Sequence, residues 1–425
     1  MNQTIREVMD FIQENDVKFV KLTFCDILGN LKNISILASE IEDVFEKGIS
    51  IDAEAFDGIA SYDKGDIRLF PDPSTIQVLP WRPQHGSVIR LYSNLKYPDG
   101  TVAECDSRSL LQQAEKELKK LGYKCTIGSD CEFYLFELDE KGQPTNIPFD
   151  RAGYLDVAPL DKGENVRREI CFTIEKMGLK PLSSHHEKGP GQNEVKFRYN
   201  EALSAADDLI AFKTAVKSIA ASNGLHASFM PKPIKDEEGS ALKINFSLEQ
   251  NTNGIDLDNA TESFIAGILN RAAELTLFFS PTINSFERLA SEKSPKYIAC
   301  AKKKLHQVIR MSSSDKRVIH FNAADPSCNP YIAYALLLKA GAEGLKNNMK
   351  LPKYQDIDFS LTDCKTLPMS LQEAIELAKN SSFVRDNIPK KHLDYFIESK
   401  EKELKEYEEC VDKDKFFEKR YFEKI

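Results

Sequence analysis

The chain lacks the local motifs by which several common protein classes are recognised. Its nine cysteines are scattered along 425 residues without a CxxC pair, which excludes a zinc finger and argues against a disulfide framework. It contains no GxxxxGK[ST], GxGxxG or GxSxG segment, so P-loop, dinucleotide-binding and serine-hydrolase functions lose support. A nucleotide would therefore have to be held by dispersed arginine and lysine contacts and a metal ion.

Long apolar runs and a strong excess of one charge are also missing. The most apolar stretch, residues 331–342, is interrupted by Lys339 and is far shorter than the roughly 20 residues that span a bilayer. No apolar segment follows a basic N-terminus, so we expect no signal peptide. The 57 basic and 66 acidic residues give a net charge of −9, which disfavours nonspecific binding to nucleic acid or anionic membranes. We therefore expect a cytoplasmic protein with reduced thiols, and neither a nucleic-acid nor a membrane partner.

The composition is that of a globular protein, with 41% hydrophobic and 29% charged residues. The first hundred residues are rich in short β-branched runs, and the turn sequence YPDG at 97–100 marks a boundary. An amphipathic helix is predicted at 109–121, and alternating helices and strands follow. We predict an α+β protein with domains at 1–103 and 104–425. From residue 390 onward the pattern is helical and heavily charged, which predicts a solvated C-terminal helix.

Two groups of carboxylates are the main chemical signal. Asp130 and Glu132 lie two residues apart on a strand predicted at 125–138, so both face the same side. Glu187 and Glu194 flank a Gly-Pro-Gly turn that could bring them together. Converging carboxylates suit a hard divalent cation such as Mg²⁺ or Mn²⁺. The alternative, that these acids are ordinary surface residues, carries equal weight on spacing alone.

The chain resembles the class I glutamine synthetases from near its N-terminus to about residue 400. Short segments match in order, among them FCDILG (24–29), LPWR (79–82), YPDG (97–100), CEFYLF (131–136), GEN (163–165), SHHE (184–187), PGQ (190–192), LHASFMPKP (225–233), SPTINS (280–285), RL (288–289) and DPSCNPY (325–331). The resemblance implies an N-terminal β-grasp domain and a C-terminal catalytic α/β domain with a curved antiparallel sheet. It also implies an amino-acid or amine substrate and a homo-oligomer, as a ring of hexamers or a dodecamer.

The resemblance further implies a set of site residues. Glu132, Glu187 and Glu194 match the three ligands of one metal, and Asp130 matches the first ligand of a second metal beside the ATP phosphates. The other two ligands of that second metal fall on Lys243 and Ile319, which cannot bind a cation. The remaining assignments are catalytic roles for Asp52 (from a neighbouring subunit), Arg288 and Glu292; phosphate binding by Lys243, Arg310 and Arg317; and substrate binding by Gly239, Arg288 and Phe321.

Lys243 has two interpretations. Its ammonium could replace the second cation and contact a phosphate or a substrate carboxylate. Alternatively, it could simply form an ion pair with Asp130.

The predicted function follows from the positions at which the sequence differs from the family pattern. With the phosphate-side ligands altered, we expect one Mg²⁺ or Mn²⁺ site, with ATP as a candidate cofactor. The predicted function is a diverged carboxylate–amine ligase, or a related single-metal enzyme, on a substrate other than glutamate plus ammonia. The alternative is an inactive homologue that acts as a scaffold or regulatory partner.

Overall fold

The structure is a computed structural model. It describes residues 3–53, 66–81, 86–250, 256–302, 306–312, 318–352 and 364–425. Within these residues no helix combines the length and the apolar character needed to cross a membrane.

In the residues described, the N-terminal part is a small mixed sheet with two α-helices. Its strands are β1 (Val17–Cys25), β2 (Leu31–Leu37), β3 (Ile49–Ile51), β4 (Ile67–Pro71), β5 (Gln77–Val78) and β6 (Ser87–Lys96). They lie in the order β2-β1-β6-β4-β3, with β5 against β6. The central pair β1 and β6 is parallel, whereas β2 and β4 join it in antiparallel fashion. This topology confirms the predicted β-grasp fold.

Two helices in this part were not predicted. They are α1 (Gln3–Glu14) and α2 (Ile41–Lys47). Helix α2 buries Ile41 and Val44 against the core. They were missed because the β-branched runs of this region predict strands, although both helices place apolar residues at helical spacing.

The second part is built on a ten-stranded sheet around one long strand. Its strands are β7 (Tyr123–Leu138), β8 (Pro144–Pro148), β9 (Pro181–His186), β10 (Gln192–Phe197), β11 (Asn200–Glu201), β12 (Leu225–Ser228), β13 (Leu242–Gln250), β14 (Tyr297–Ala301), β15 (Gln307–Met311) and β16 (Ile319–Phe321). The path runs β14-β15-β16-β13-β7-β10-β9, and β8, β11 and β12 also pair with β7. All pairs except β14–β15 are antiparallel. The sheet agrees with the predicted catalytic-domain fold.

Helices pack around this sheet. They are α3 (Ser107–Lys120), α4 (Glu164–Lys176), α5 (Ala202–Ser222), α6 (Leu257–Phe279), α7 (Ile283–Ala290), α8 (Pro330–Lys346), α9 (Leu371–Asn380), α10 (Ser382–Asn387), α11 (Lys390–Glu409) and α12 (Lys413–Phe417). Helices α6 and α8 approach closely because both carry glycine at their contact. A Cβ on Gly344 would lie 2.0 Å from the Ser263 carbonyl oxygen, and one on Gly267 would lie 2.2 Å from that of Ala340.

The C-terminal helix is not simply solvated, as the charge pattern had suggested. Helix α11 buries Leu393, Phe396 and Ile397. It also buries an ion pair between Lys400 and Glu403, with the Lys400 Nζ 3.0 Å from a carboxylate oxygen. The prediction was wrong because the abundant charges masked an apolar stripe at helical spacing.

A buried arginine joins the two parts of the chain. Arg108, at the start of α3, lies 2.9 Å from a carboxylate oxygen of Asp72 and 2.9 Å from one of Asp207. Asp72 belongs to the β-grasp part and Asp207 to α5, so one guanidinium connects both. The boundary between residues 103 and 104 falls in the segment between β6 and α3 and stays a prediction.

Candidate functional site

One surface of the ten-stranded sheet collects polar side chains from six adjacent strands. Directly paired residues project to the same side of a sheet, and the pairs here are Glu194 with both Glu132 and His185, Lys243 with Asp130, and His320 with both Asn245 and Arg310. Lys196 joins them through its contacts with Asp130 and Glu194. We call this surface the polar face. Its other side is apolar, since Cys131, Phe133 and Leu135 alternate with the acids of β7 and are fully buried.

The hairpin between β9 and β10 turns two glutamates toward one histidine. Gly191 has φ +70°, and a Cβ there would lie 2.7 Å from the Leu135 carbonyl oxygen, so the turn requires glycine. The Glu187 N–H donates to the Gln192 carbonyl oxygen at 2.8 Å. As a result the His185 Nε2 lies 3.0 Å from Glu187 Oε1 and 3.7 Å from Glu194 Oε1.

Lys243 lies between two of the predicted metal ligands. Its Nζ is 2.8 Å from Glu132 Oε1 and 2.9 Å from Glu194 Oε2. Burial alone would lower the pKa of Lys243, but the two carboxylates outweigh this and raise its pKa well above the ordinary value. Burial would likewise raise the pKa of Glu194, and Lys243 and Lys196 together hold it below its ordinary value. Burial raises the pKa of Glu132, and Lys243 opposes that shift. We therefore describe Lys243 as a charged bridge between the two glutamates.

Asp130 has a different cation. The Lys196 Nζ lies 3.5 Å from its carboxylate and 3.2 Å from Glu194 Oε1. Burial raises the pKa of Asp130, and the nearby Glu194 raises it further. The hypothesis of a simple ion pair between Lys243 and Asp130 is not what the structure shows, because the Lys243 ammonium is held by Glu132 and Glu194.

His320 lies on the polar face. The family resemblance had assigned site roles to its two neighbours, Ile319 and Phe321, instead. Ile319 and Phe321 flank it in β16 and point to the apolar side, where the Phe321 ring packs 4.6 Å from that of Phe279. The predicted substrate contact of Phe321 is therefore not supported, because its side chain is fully buried in the core. His320 Nδ1 instead lies 2.6 Å from Asn245 Oδ1. Burial, with the charge of Arg310, lowers the His320 pKa to about 4, so its imidazole is neutral at pH 7.

The other predicted site residues divide into two groups. Arg288 is buried, donates to the Ala323 carbonyl oxygen at 2.8 Å, and packs so closely on Gly239 that a Cβ there would lie 2.7 Å from its Cγ. Gly239 in turn accepts a hydrogen bond from Gln192 Nε2 at 3.2 Å. By contrast, Glu292 and Asp52 are exposed and lie after α7 and β3, respectively. Arg317 lies outside the described residues.

One end of the polar face fits a divalent cation. His185, Glu187 and Glu194 each offer a ligand atom, and these atoms all lie within 4.8 Å of one another. Glu194 is fully buried, and among the described residues its Oε1 has no hydrogen bond of standard geometry, although the Lys196 Nζ lies 3.2 Å away. A buried carboxylate oxygen without a full set of partners is a suitable metal ligand, because a bound cation would satisfy it. Around Asp130, in contrast, the ammonium groups of Lys196 and Lys243 already supply positive charge, so those residues do not fit a second divalent ion.

Two histidines were missed as site residues by sequence reasoning. His185 was given no role in the site, and His320 was passed over for Ile319 and Phe321. Period-two alternation held a signal for both: His185 is two residues from Glu187, and His320 is the polar residue between two apolar ones.

Comparisons with known proteins identify relatives over nearly the whole chain. The family model described as glutamine synthetase, beta-Grasp domain, matches residues 16–98, and that described as glutamine synthetase, catalytic domain, matches residues 104–419. A glutamine synthetase of Methanosarcina mazei is 36% identical, with 96% of each chain covered. One of Clostridium saccharobutylicum is 38% identical, with 90% of each covered.

A solved structure gives the same picture at the level of the fold. It is described as "GmaS/ADP complex-Conformation 1" and superposes with a TM-score of 0.86 at 25% identity, covering 97% of this chain and 98% of that one.

These relatives overturn one sequence-based expectation. The predicted ligase or single-metal enzyme acting on another substrate, with its alternative of an inactive scaffold, is contradicted by relatives at 36–38% identity that are glutamine synthetases. The prediction gave too much weight to the lost ligands at Lys243 and Ile319. Lys243 brings a positive charge to the site, and His320, rather than Ile319, faces it.

Proposed function

The chain belongs to the glutamine synthetase family of ATP-dependent ligases, and from this premise we propose that it forms glutamine from glutamate and ammonia while converting ATP to ADP and phosphate. The observation that carries the proposal is the division of the polar face into an acidic end and a basic end. His185, Glu187 and Glu194 lie at the acidic end. Arg310 lies on the same face at the opposite, basic end, in β15 and paired with His320 of β16.

The acidic end would hold the family's Mg²⁺ or Mn²⁺, with Glu187 and Glu194 as ligands. When bound, such an ion supplies positive charge that stabilises negative charge on a carboxylate or phosphoryl oxygen. Glu194 is prepared for this role, because Lys243 and Lys196 keep it ionised in spite of its burial.

The basic end would bind the phosphates of ATP. Phosphoryl transfer requires neutralisation of charge on the transferred group, and we assign part of this role to Arg310. We assign Arg317 to the same role on the sequence match alone. The Lys243 ammonium, which was also expected to bind phosphate, is held instead between Glu132 and Glu194.

The remaining assignments concern binding and assembly. Arg288 is a positioning residue in this proposal, since its guanidinium holds the Ala323 carbonyl oxygen while its stem packs on Gly239. We propose that Asp52 reaches the site of a neighbouring subunit in a ring of hexamers or a dodecamer, and that Glu292 closes over the substrate. Three exposed apolar residues in one loop favour such a neighbour: Leu155, Val157 and Leu160 are 58%, 72% and 62% exposed, respectively. All nine cysteines are free, which suits the reducing conditions of a cytoplasm.

The test is ADP release by the purified full-length protein with Mg²⁺ or Mn²⁺. We expect release to require both glutamate and ammonium, and to fall by about 100-fold or more in Glu187→Gln, as expected for loss of an electrostatic contact to the reacting groups. Glu175→Gln, on the exposed side of α4, is the matched control and should retain wild-type rates. ADP release that is independent of glutamate, or unchanged in Glu187→Gln, would contradict the proposal.

A further inference from the structure

We propose that the Lys243 ammonium forms a permanent salt bridge with both Glu132 and Glu194. As a consequence, a single divalent ion is bound by His185, Glu187 and Glu194 rather than by the three glutamates. This deepens the proposed function, because both concern the same cluster. Two features are new: the His185 imidazole as a metal ligand, and the Lys243 ammonium that occupies Glu132 and so prevents it from binding the metal.

Glu132 has little capacity left for a metal. Its Oε1 is 2.8 Å from the Lys243 Nζ. Its Oε2 accepts from the Ala241 N–H at 2.8 Å and from Gln192 Nε2 at 3.3 Å. Because each oxygen already has a partner, a metal at Glu132 would have to displace the ammonium or break these hydrogen bonds.

Glu194 is shared between the two cations. Its Oε2 is bound to Lys243 at 2.9 Å. Within the part of the chain that the structure describes, its Oε1 receives no hydrogen bond of standard geometry, although the Lys196 Nζ lies 3.2 Å away, and it lies 3.7 Å from His185 Nε2. A metal ion between these two atoms would satisfy a fully buried oxygen that otherwise lacks a hydrogen bond.

His185 is suitably held for ligation. Its side chain is 15% exposed, and its Nε2 lies near both glutamates. The Tyr154 ring packs edge-on against the imidazole at 5.6 Å, which restrains its orientation. One nitrogen and two carboxylate oxygens form a mixed donor set, and imidazole favours transition metals over Mg²⁺. The chain should therefore prefer Mn²⁺ to Mg²⁺.

The inference can be tested by binding Mn²⁺ to the metal-free, full-length protein without nucleotide. Electron paramagnetic resonance should show one bound Mn²⁺ per chain, and the spin-echo modulation should show coupling to an imidazole ¹⁴N. In His185→Gln we expect the ¹⁴N coupling to disappear and the affinity to fall by roughly 10- to 100-fold. His226→Gln, whose imidazole bonds the Phe422 carbonyl oxygen instead, should keep both.

Lys243→Met tests the other half of the inference. Freed from the ammonium, Glu132 should join the metal, and Mn²⁺ affinity should rise by about 10-fold, the scale of one metal–ligand effect. Lys196→Met removes an equal charge beside Glu194 but does not release Glu132, so its affinity should rise by less than about 3-fold. If Lys243→Met does not fold, the His185→Gln result decides alone.

Four outcomes would overturn the inference: no bound Mn²⁺ in the wild type, two Mn²⁺ per chain, a ¹⁴N coupling that survives in His185→Gln, or equal gains in the two lysine variants. None of these measurements depends on turnover. If the protein makes glutamine but shows one of these four outcomes, the proposed function stands and this inference is wrong. If it binds Mn²⁺ as described but makes no glutamine, this inference stands and the proposed function is wrong.

Discussion

Lys243 and Asp130 are direct cross-strand partners, yet the Lys243 ammonium is not held by the Asp130 carboxylate. It reaches instead to Glu132 and Glu194, which are themselves paired across β7 and β10. Two carboxylates that face each other repel when both are ionised, and a cation between them removes that cost. The lysine therefore stabilises the acidic end of the polar face before any ligand binds.

The first prediction concerns the stability of this arrangement. In metal-free buffer, Lys243→Met should lower the free energy of unfolding by about 3 kcal/mol, because it leaves two buried carboxylates without their cation. Urea unfolding followed by circular dichroism measures this.

Lys196→Met provides the comparison. Its Nζ lies 3.5 Å from Asp130 and 3.2 Å from Glu194, farther than the Lys243 Nζ lies from its two glutamates, so Lys196→Met should lower the free energy of unfolding by less than Lys243→Met does. Equal stability of Lys243→Met and the wild type would show that Lys243 does not carry this charge balance.

The second prediction concerns the connection between the β-grasp part and the catalytic part. Arg108→Met leaves Asp72 and Asp207 without their shared guanidinium, so we expect a loss of about 3 kcal/mol in unfolding free energy. Lys116→Met, an exposed position on the same helix, should change it by under about 0.5 kcal/mol. Urea titrations of the two variants decide the matter, and similar midpoints for both would refute the connecting role of Arg108.

The third prediction is a dependence of stability on pH that is traced to His392. Its imidazole is 1% exposed, its Nδ1 lies 3.3 Å from the Glu104 carbonyl oxygen, and its Nε2 has no hydrogen-bond partner among the described residues. Burial lowers its pKa from 6.5 to about 4. The unfolded chain therefore takes up a proton below pH 6.5 that the folded chain refuses until about pH 4.

The sign follows from this difference. The contribution of His392 is complete above pH 6.5 and is lost as the pH falls toward 4, by a total of about 3 kcal/mol. Unfolding free energies measured from pH 7 to pH 4.5 should fall more steeply in the wild type than in His392→Leu. Parallel pH profiles for the two proteins would contradict this assignment.

Much of the fold could be predicted from local sequence patterns. The strand expected at 125–138 is observed as Tyr123–Leu138, and the helix expected at 109–121 as Ser107–Lys120. These elements were found because alternation and helical spacing are local properties. The two N-terminal helices and the apolar stripe of α11 were missed, since short helices and heavily charged segments give weaker signals.

The site was less accessible because it depends on strand register. Period two placed Asp130 and Glu132 on one side of β7, but nothing in the sequence states which residue of β13 lies opposite them. A shift of one residue moves a side chain to the other face, and this is why Ile319 and Phe321 were considered and His320 was not. The bridge formed by Lys243 likewise required the positions of three strands at once.

The central claim is that this chain makes glutamine, and one measurement addresses it most directly. The purified protein is incubated with ATP, Mn²⁺, glutamate and ¹⁵N-ammonium, and the product is examined by NMR. The account predicts a ¹⁵N-labelled γ-amide of glutamine, formed in equal amount to ADP and at a rate about 100-fold or more lower in Glu187→Gln. Consumption of ATP without a labelled amide, or no reaction while Mn²⁺ is bound, would contradict it.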